Sequence, residues 1–441
     1  MDTLVLARAD MGVSLAFHIV FAAMGVALPV LALIAELGAR RGDADALELA
    51  KRLGKGTAIL FAVGAVSGTV LSFELGLLWP RFMRTFGEVI GLPFALEGFA
   101  FFTEAIFLGI YLYGRGRVSP RLHLLSLVVV AGSGAASAGF VTLVNAWMNA
   151  PTGFRLEGLR VAEVDPLAAM FAAPWRHQVV HVLLSCYEAT AFAMAAVHAW
   201  MLLRRGSSPL HRKALRIALA VGGVCALLQV ASGDRSAKHV AAEQPLKFAA
   251  IEAHFRTAKG PALHLGGLPD TAAMRVRGSL EIPRMLGVMA FGDPDAVVRG
   301  LEEFPRELWP PVAAAHWAFQ VMVGGGSALA ALSLALGVWA FGARRRPEPL
   351  RVPPRPLLYA IVAAGPLGFA ALEAGWLTTE LGRQPWIAHG VMRTRDAVTP
   401  FPHLGVPLVG FALLYAFLGF STAYLLWRQI YLTAPGAGEP P

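Results

Sequence analysis

Apolar positions in this chain do not alternate, and they do not form a single amphipathic stripe. They come in runs of about twenty residues, separated by short polar connections. The run "SLAFHIVFAAMGVALPVLALIAEL" is long enough to cross the ~30 Å hydrocarbon layer as one helix. Comparable runs predict nine spans, at roughly 12–35, 56–79, 93–114, 123–147, 177–203, 214–232, 311–342, 356–379 and 404–431. The predicted fold class is an all-α integral membrane protein with nine transmembrane helices. The first run is too long for the apolar part of a signal peptide and ends in Glu36 rather than a small-residue cleavage site, so it reads as a retained span.

One connection, 233–310, is long and polar, with prolines at 245, 261, 269, 283, 294 and 305. A loop of that length usually carries function. It divides the chain into helices one to six (1–232), an extramembrane loop (233–310), helices seven to nine (311–432) and a tail rich in Pro and Gly (433–441) that reads as disordered. No internal repeat or inverted pair of interrupted helices is visible, which weighs against a secondary transporter.

Only 15% of the residues are charged and 56% are hydrophobic, against about 25% charged in soluble domains. The net charge of +9 therefore speaks to topology and not to nucleic acid, because basic residues gather in cytoplasmic loops. The connections after the odd-numbered spans hold Arg40, Arg41, Lys51, Arg52 and Lys55; Arg115, Arg117 and Arg121; Arg204, Arg205, Arg212 and Lys213; and Arg344, Arg345, Arg346, Arg351 and Arg355. The alternate ones are poorer, with Arg81 and Arg84, then Arg155, Arg160 and Arg176, then Arg383, Arg393 and Arg395. This asymmetry predicts the N-terminus and the long loop outside and the C-terminus in the cytoplasm. Cys186 and Cys225 both fall in apolar runs, so no disulfide framework or Cys-x-x-Cys metal site is available.

Ionisable residues at membrane depth are functional candidates by default. His18, His181, Met322 and Glu380 come from four different spans and share the outer half of the predicted bilayer. Histidine, methionine and an occasional carboxylate are axial ligands of haem iron; a His/Met pair suits a low-spin electron-transfer haem, and a single ligand leaves an open position for oxygen. Gly324, Gly325 and Gly326 follow Met322 and would let a flat macrocycle approach the helix. Arg8, Trp376, Arg383 and Trp386 could serve haem propionates and rings. Each residue also has a plainer reading. A lone membrane histidine often bonds a neighbouring helix, and a lone methionine often fills core. His177 and His198 take that plainer reading. Glu188 fits either a satisfied polar residue or the lining of a water path.

Span three contains "LEGFAFFTEAIFLGIYLYG", in which Glu97 and Glu104 are seven apart and share a helical face. Two carboxyls there imply a hydrated cavity or a proton relay, which Ser133, Ser137 and Asn145 of span four could extend. The alternative is a polar seam between helices. In the loop, Lys247 and Glu252 of "EQPLKFAAIEAHF" flank an apolar turn at the membrane surface. The pair could grip a quinol's oxygens, although charge pattern alone favours an ordinary amphipathic helix.

"FH" in span one, "EGFAFFTEA", "NAWMNAP", "DRSAKH", "QPLKFAAIEA", "WAFQVM" and "EAGWLTTELGRQPW" together resemble subunit I of the cytochrome bd-type quinol oxidases, in order and over nearly the whole chain. The resemblance implies that His181 and Met322 ligate a low-spin haem b. It implies that His18 and Glu380 ligate the two remaining haems, a high-spin haem b and haem d, without saying which holds which. Glu97 matches an acid beside the high-spin haems, and Glu104, Ser137 and Asn145 match parts of a proton route. Lys247 and Glu252 match quinol-binding residues. The implied enzyme is an electrogenic oxidase of the bacterial cytoplasmic membrane. It oxidises ubiquinol or menaquinol at the outer face and reduces O2 to water with cytoplasmic protons. A second membrane subunit, subunit II, and a small single-span subunit are the implied partners.

Two features depart from the family pattern. Gln320 stands where many members have arginine, which is expected to shift the low-spin haem's potential or its propionate contacts. The outer loop is short, as in the cyanide-insensitive branch, which leaves haem d, or a haem b in its place, open. The competing classes are a proton-coupled transporter using Glu97 and Glu104, a copper-containing haem oxidase, and a haem-bearing reductase without oxygen chemistry. The copper class needs clustered histidines, which the sequence lacks.

Overall fold

The computed structural model describes residues 2–158, 160–206, 208–345 and 352–429. The tail 433–441, and Arg346 and Arg351 of the basic connection, lie outside the described residues. The helices are α1 (Thr3–Ala39), α2 (Ala44–Leu78), α3 (Pro80–Tyr113), α4 (Pro120–Asn149), α5 (Pro166–Met170), α6 (Trp175–Arg205), α7 (Pro209–Glu243), α8 (Pro245–Ile251), α9 (Met285–Phe291), α10 (Val312–Ala343), α11 (Arg355–Gly382), α12 (Thr394–Ala397) and α13 (Gly405–Trp427). Nine of them among the described residues are long and apolar enough to cross a membrane: α1–α4, α6, α7, α10, α11 and α13. The predicted count is met. The strands among the described residues are two or three residues long and pair antiparallel, two by two, within the connections.

Local chemistry sets the helix ends. Asp43 caps α2 by accepting from Ala46 N, and Ser119 caps α4 by accepting from Leu122 N. Prolines open α3, α4 and α7, where the missing N–H costs nothing. Several helices outrun their apolar cores. α7 was expected to stop at 232 but continues to Glu243, carried by an i,i+4 pair, Lys238 Nζ to Asp234 Oδ2 at 2.7 Å. The long connection therefore begins at Gln244 and not at 233. α1 begins at Thr3, so Arg8 sits on a helix and not ahead of one.

The helices pack as two groups. α1 lies on α2 and α4, and α3 lies on α4. In the second group α6, α7, α10 and α11 pack around one another. α1 and α4 both touch α6 and join the groups, while α13 covers α1 and α2. One end of the bundle, here called the loop end, carries the start of α1 and the connection between α7 and α10. Backbone bonds tie the short connections there, His389 N to Met148 O and Thr399 N to Leu78 O, both 2.9 Å. At the far end a buried Glu36 takes Arg115 Nη2 at 2.6 Å and the Tyr111 hydroxyl at 3.4 Å, locking α1 to α3.

Candidate functional site

α1 and α2 set His18. Its Nδ1 lies 2.9 Å from Ser67 Oγ, and Ser67 Oγ gives its own proton to Val63 O at 2.9 Å. The hydroxyl must therefore accept from Nδ1–H, which leaves the lone pair on Nε2 of a neutral ring. A bond of this kind on the other ring nitrogen is how ligating histidines are oriented. Gly68 makes room beside the ring, because a Cβ there would come within 3.1 Å of His18 Cε1. His181 on α6 repeats the arrangement against α7. Its Nδ1 faces Ser232 Oγ at 3.3 Å, and its Nε2 accepts from the Gln229 amide at 3.1 Å. Gly233 lies against it.

Met322 on α10 packs against α11 at Gly375, where a Cβ would meet its sulfur at 3.1 Å. The three glycines after it divide their work. Gly325 lets α10 close onto Ala371, whereas Gly324 and Gly326 face open space. His181 and Met322 thus belong to the second helix group and His18 to the first. Glu380, in the last turn of α11, joins the two. Its Oε1 accepts from Asn145 Nδ2 of α4 and its Oε2 from Arg383 Nη2, both at 2.6 Å. A carboxylate offers about four lone-pair directions, so two remain. Arg383 is 4% exposed, and its Nε and Nη1 have no partner among the described residues. Arg8 lies within electrostatic reach of Glu380. Trp376 packs between α1 and α6, and Trp386 lies under Arg393 and beside His389.

The two acids of α3 face α4. Ser137 Oγ donates to Glu97 Oε1 at 3.1 Å, and Glu104 lies beside Gly134, close enough to feel Glu97. Asn145, which the sequence offers as an extension of the same chain, lies about two turns beyond Ser137 along α4, on Glu380. Asn149 follows one turn later and binds both Asn145 Oδ1 (3.1 Å) and Lys247 Nζ (3.0 Å).

Lys247 and Glu252 are buried within the protein and do not face solvent. α8 is tucked beneath the loop, and the two side chains are 7% and 1% exposed. Lys247 runs over Gly382 to Asn149 and to Thr379 O. Burial, reinforced by Arg383 and opposed by Glu380, brings its ammonium down to a pKa of about 7. Burial alone raises Glu252 to about 8, and neither of its carboxyl oxygens has a partner. No hydrogen bond or ion pair joins the two among the described residues. Gln320 clasps the loop, accepting from Gly266 N (3.1 Å) and donating to His264 O (3.0 Å). A turn away, His316 lies between Ile251 O at the end of α8 (2.9 Å) and Gly266 O of the loop (3.3 Å).

The sequence reading passed over Asp10 and Glu74, two fully buried acids on α1 and α2. The signal was present: "LSFELG" places an acid inside an apolar run, the criterion applied to Glu97. The partners Ser67, Ser232, Gln229 and Asn149 had no signal of their own.

The donor set fits haem. It offers the Nε2 lone pair of His18, a His181 imidazole whose Nε2 would have to exchange the Gln229 amide for iron, a thioether, a carboxylate with spare lone pairs, glycines beside three of these candidates, and a buried guanidinium with two nitrogens unpartnered among the described residues. Residues 6–433 match the family model described as cytochrome bd terminal oxidase subunit I. A Bacillus subtilis (strain 168) protein provisionally named cytochrome bd menaquinol oxidase subunit I is 38% identical over 97% of this chain and 96% of its own length. The cytochrome bd ubiquinol oxidase subunit 1 of the same strain is 31% identical over 98% of this chain and 94% of its own. The structure of bd oxidase from Geobacillus thermodenitrificans superposes with a TM-score of 0.91 at 39% identity, covering 98% of this chain and 99% of that one. With nine membrane-length helices in the same arrangement and a match along almost its whole length, the chain belongs to the cytochrome bd terminal oxidase subunit I family.

Proposed function

We propose that this chain is the haem-carrying, quinol-oxidising subunit of an electrogenic oxidase in a bacterial cytoplasmic membrane, working with a subunit II and a small single-span subunit. His181 and Met322 hold a low-spin haem b. His18 and Glu380 hold the other two haems, a high-spin haem b and haem d or a haem b in its place. When bound, these groups supply electron transfer and the reduction of O2 to water. Arg8 and Arg383 receive propionates, with Trp376 and Trp386 against the rings. The loop covering 244–311, together with α8, binds ubiquinol or menaquinol. There Lys247 positions one ring oxygen, and Glu252 takes a proton from the other once it is ionised. Glu104, Glu97 and Ser137 carry protons from the cytoplasmic end, and Asn145 orients Glu380.

One observation carries this reading. A single face of α4 presents Gly134 to Glu104, Ser137 to Glu97, Asn145 to Glu380 and Asn149 to Lys247. The acids, the candidate ligand and the loop lysine therefore lie on one polar seam, which an ordinary helix contact does not need. Reduced-minus-oxidised spectra of the purified complex test it. Met322→Leu should remove the low-spin haem signal and keep the high-spin ones, and His18→Ala should remove a high-spin signal and keep the low-spin one. An intact low-spin signal in Met322→Leu would overturn the ligand assignment.

A further inference from the structure

The seam between α1, α2 and α13 holds a second polar group that the reading above does not use. Asp10, Ser14 and Glu74 are each at 0% exposure. Ser14 Oγ donates to Glu74 Oε1 at 2.7 Å, while both Asp10 oxygens and Glu74 Oε2 have no partner among the described residues. From α13, Tyr415, 4% exposed, turns its hydroxyl toward Ser14, Glu74 and Asp10 without completing a bond. Its ring is fixed by stacking on Phe17 at 4.6 Å. Among the described residues no Lys, Arg or His acts on either carboxyl, and no titratable group faces them from the other helices packed on α1. Two bare carboxylates with no counter-charge in so dry a place are very costly. The arrangement therefore suits two acids that keep a proton between them, with Tyr415 as a spare hydrogen-bonding arm. The described residues hold no cluster that would take a metal ion instead.

The pair lies on the same two helices as His18, with Asp10 about 12 Å from it along the axis. Asp10, Ser14 and His18 follow at i, i+4 and i+8 on one face of α1. Opposite them, Glu74 and Ser67 are seven apart on α2, and Ser67 is the residue that holds His18 Nδ1. Ser14 is about 6 Å along the axis from His18.

We propose that Asp10, Glu74, Ser14 and Tyr415 form a proton-binding site at the loop end of α1, whose occupancy follows the oxidation state of the haem held by His18. One electron arriving on that iron, supplied by the quinol, is balanced by one proton taken up by the carboxyl pair from the water at the loop end, and reoxidation releases it. The inference rests on the assignment of His18 as a haem ligand. The test uses the whole oxidase complex, with Asp10→Asn, Glu74→Gln and the double variant. High-spin haem potentials are titrated spectroelectrochemically across pH, with redox-difference infrared spectra recorded in H2O and D2O. The slope of potential against pH should fall to roughly half or less in the double variant. A deuterium-sensitive carboxylic acid band should disappear from the difference spectrum, and the low-spin haem should keep its slope. If the double variant does not assemble, Glu74→Gln and Tyr415→Phe singly should each weaken the slope. An unchanged slope and band, with His18→Ala still removing a high-spin haem, would overturn this proposal alone. If His18→Ala leaves the high-spin haems intact, the ligand assignment falls and this proposal falls with it.

Discussion

Lys247 and Glu252 sit five residues apart in one loop, yet burial acts on them in opposite senses. Desolvation disfavours whichever form is charged, so the lysine loses its proton early and the glutamate keeps its proton late. With Lys247 at about 7, the ammonium that would hold a quinol oxygen is lost as pH rises through that value. With Glu252 at about 8, the carboxylate that would accept the quinol's proton is gained only above it. The quinol KM should therefore rise as pH passes about 7, and kcat should rise as pH passes about 8. Lys247→Met should flatten the first limb and Glu252→Gln the second. Steady-state quinol oxidation measured across pH checks both, and limbs that survive the substitutions would remove these residues from the quinol site. The sequence shows that His18 and Glu380 are out of place beside apolar runs, while Lys247 reads there as an ordinary loop residue. It does not show what they touch. Asn145 is 235 positions from Glu380, and nothing in either local pattern links them.

At the level of helices, α11 is held by what it lacks. Gly368 lies so close to α6 that a Cβ would come within 2.8 Å of Ala189 Cα, and Gly365 is as tight against Ala196. A few residues on, Gly375 accommodates Met322 of α10. Small residues at such crossings let backbones approach and pack in a membrane. Gly368→Leu has to push α11 off α6, since the obstacle is backbone. Overpacking of this kind costs about 1–3 kcal/mol, and it shifts Met322 and Glu380 relative to His181. The variant should lower the melting temperature of the complex and broaden or abolish the low-spin haem spectrum. Gly337→Ala, which meets nothing within 4 Å, should change neither. Hydropathy makes the nine helices legible because a hydrocarbon slab demands about twenty apolar residues. It cannot mark where they end once they leave the slab. The last turns of α7 are polar and helical through Asp234 and Lys238, so the reading that stopped at 232 mistook the edge of the slab for the end of the helix. The crossings at Gly365 and Gly368 stayed hidden because their reason lies on another helix.

For the whole molecule the decisive property is sidedness. Charge would be separated across the bilayer only if quinol gives up its protons at one end and the acids of α3 draw theirs from the other. Among the described residues, the basic side chains of the connections after the odd-numbered spans, such as Arg40, Arg41, Arg115, Arg204 and Lys213, lie at the far end, opposite the loop. The positive-inside bias therefore assigns the far end to the cytoplasm. Cysteine labelling can read this directly, because Cys186 and Cys225 are both buried and give little background. Glu281 in the loop hairpin and Lys51 near the far end are both exposed. In intact cells, freed of any outer membrane, a membrane-impermeant maleimide should label Glu281→Cys and leave Lys51→Cys untouched until the cells are opened. Labelling in the reverse order would place quinol oxidation on the cytoplasmic side. The acids of α3 would then draw their protons from outside, and the charge separation proposed for this enzyme would run in the opposite direction even with every ligand assignment intact.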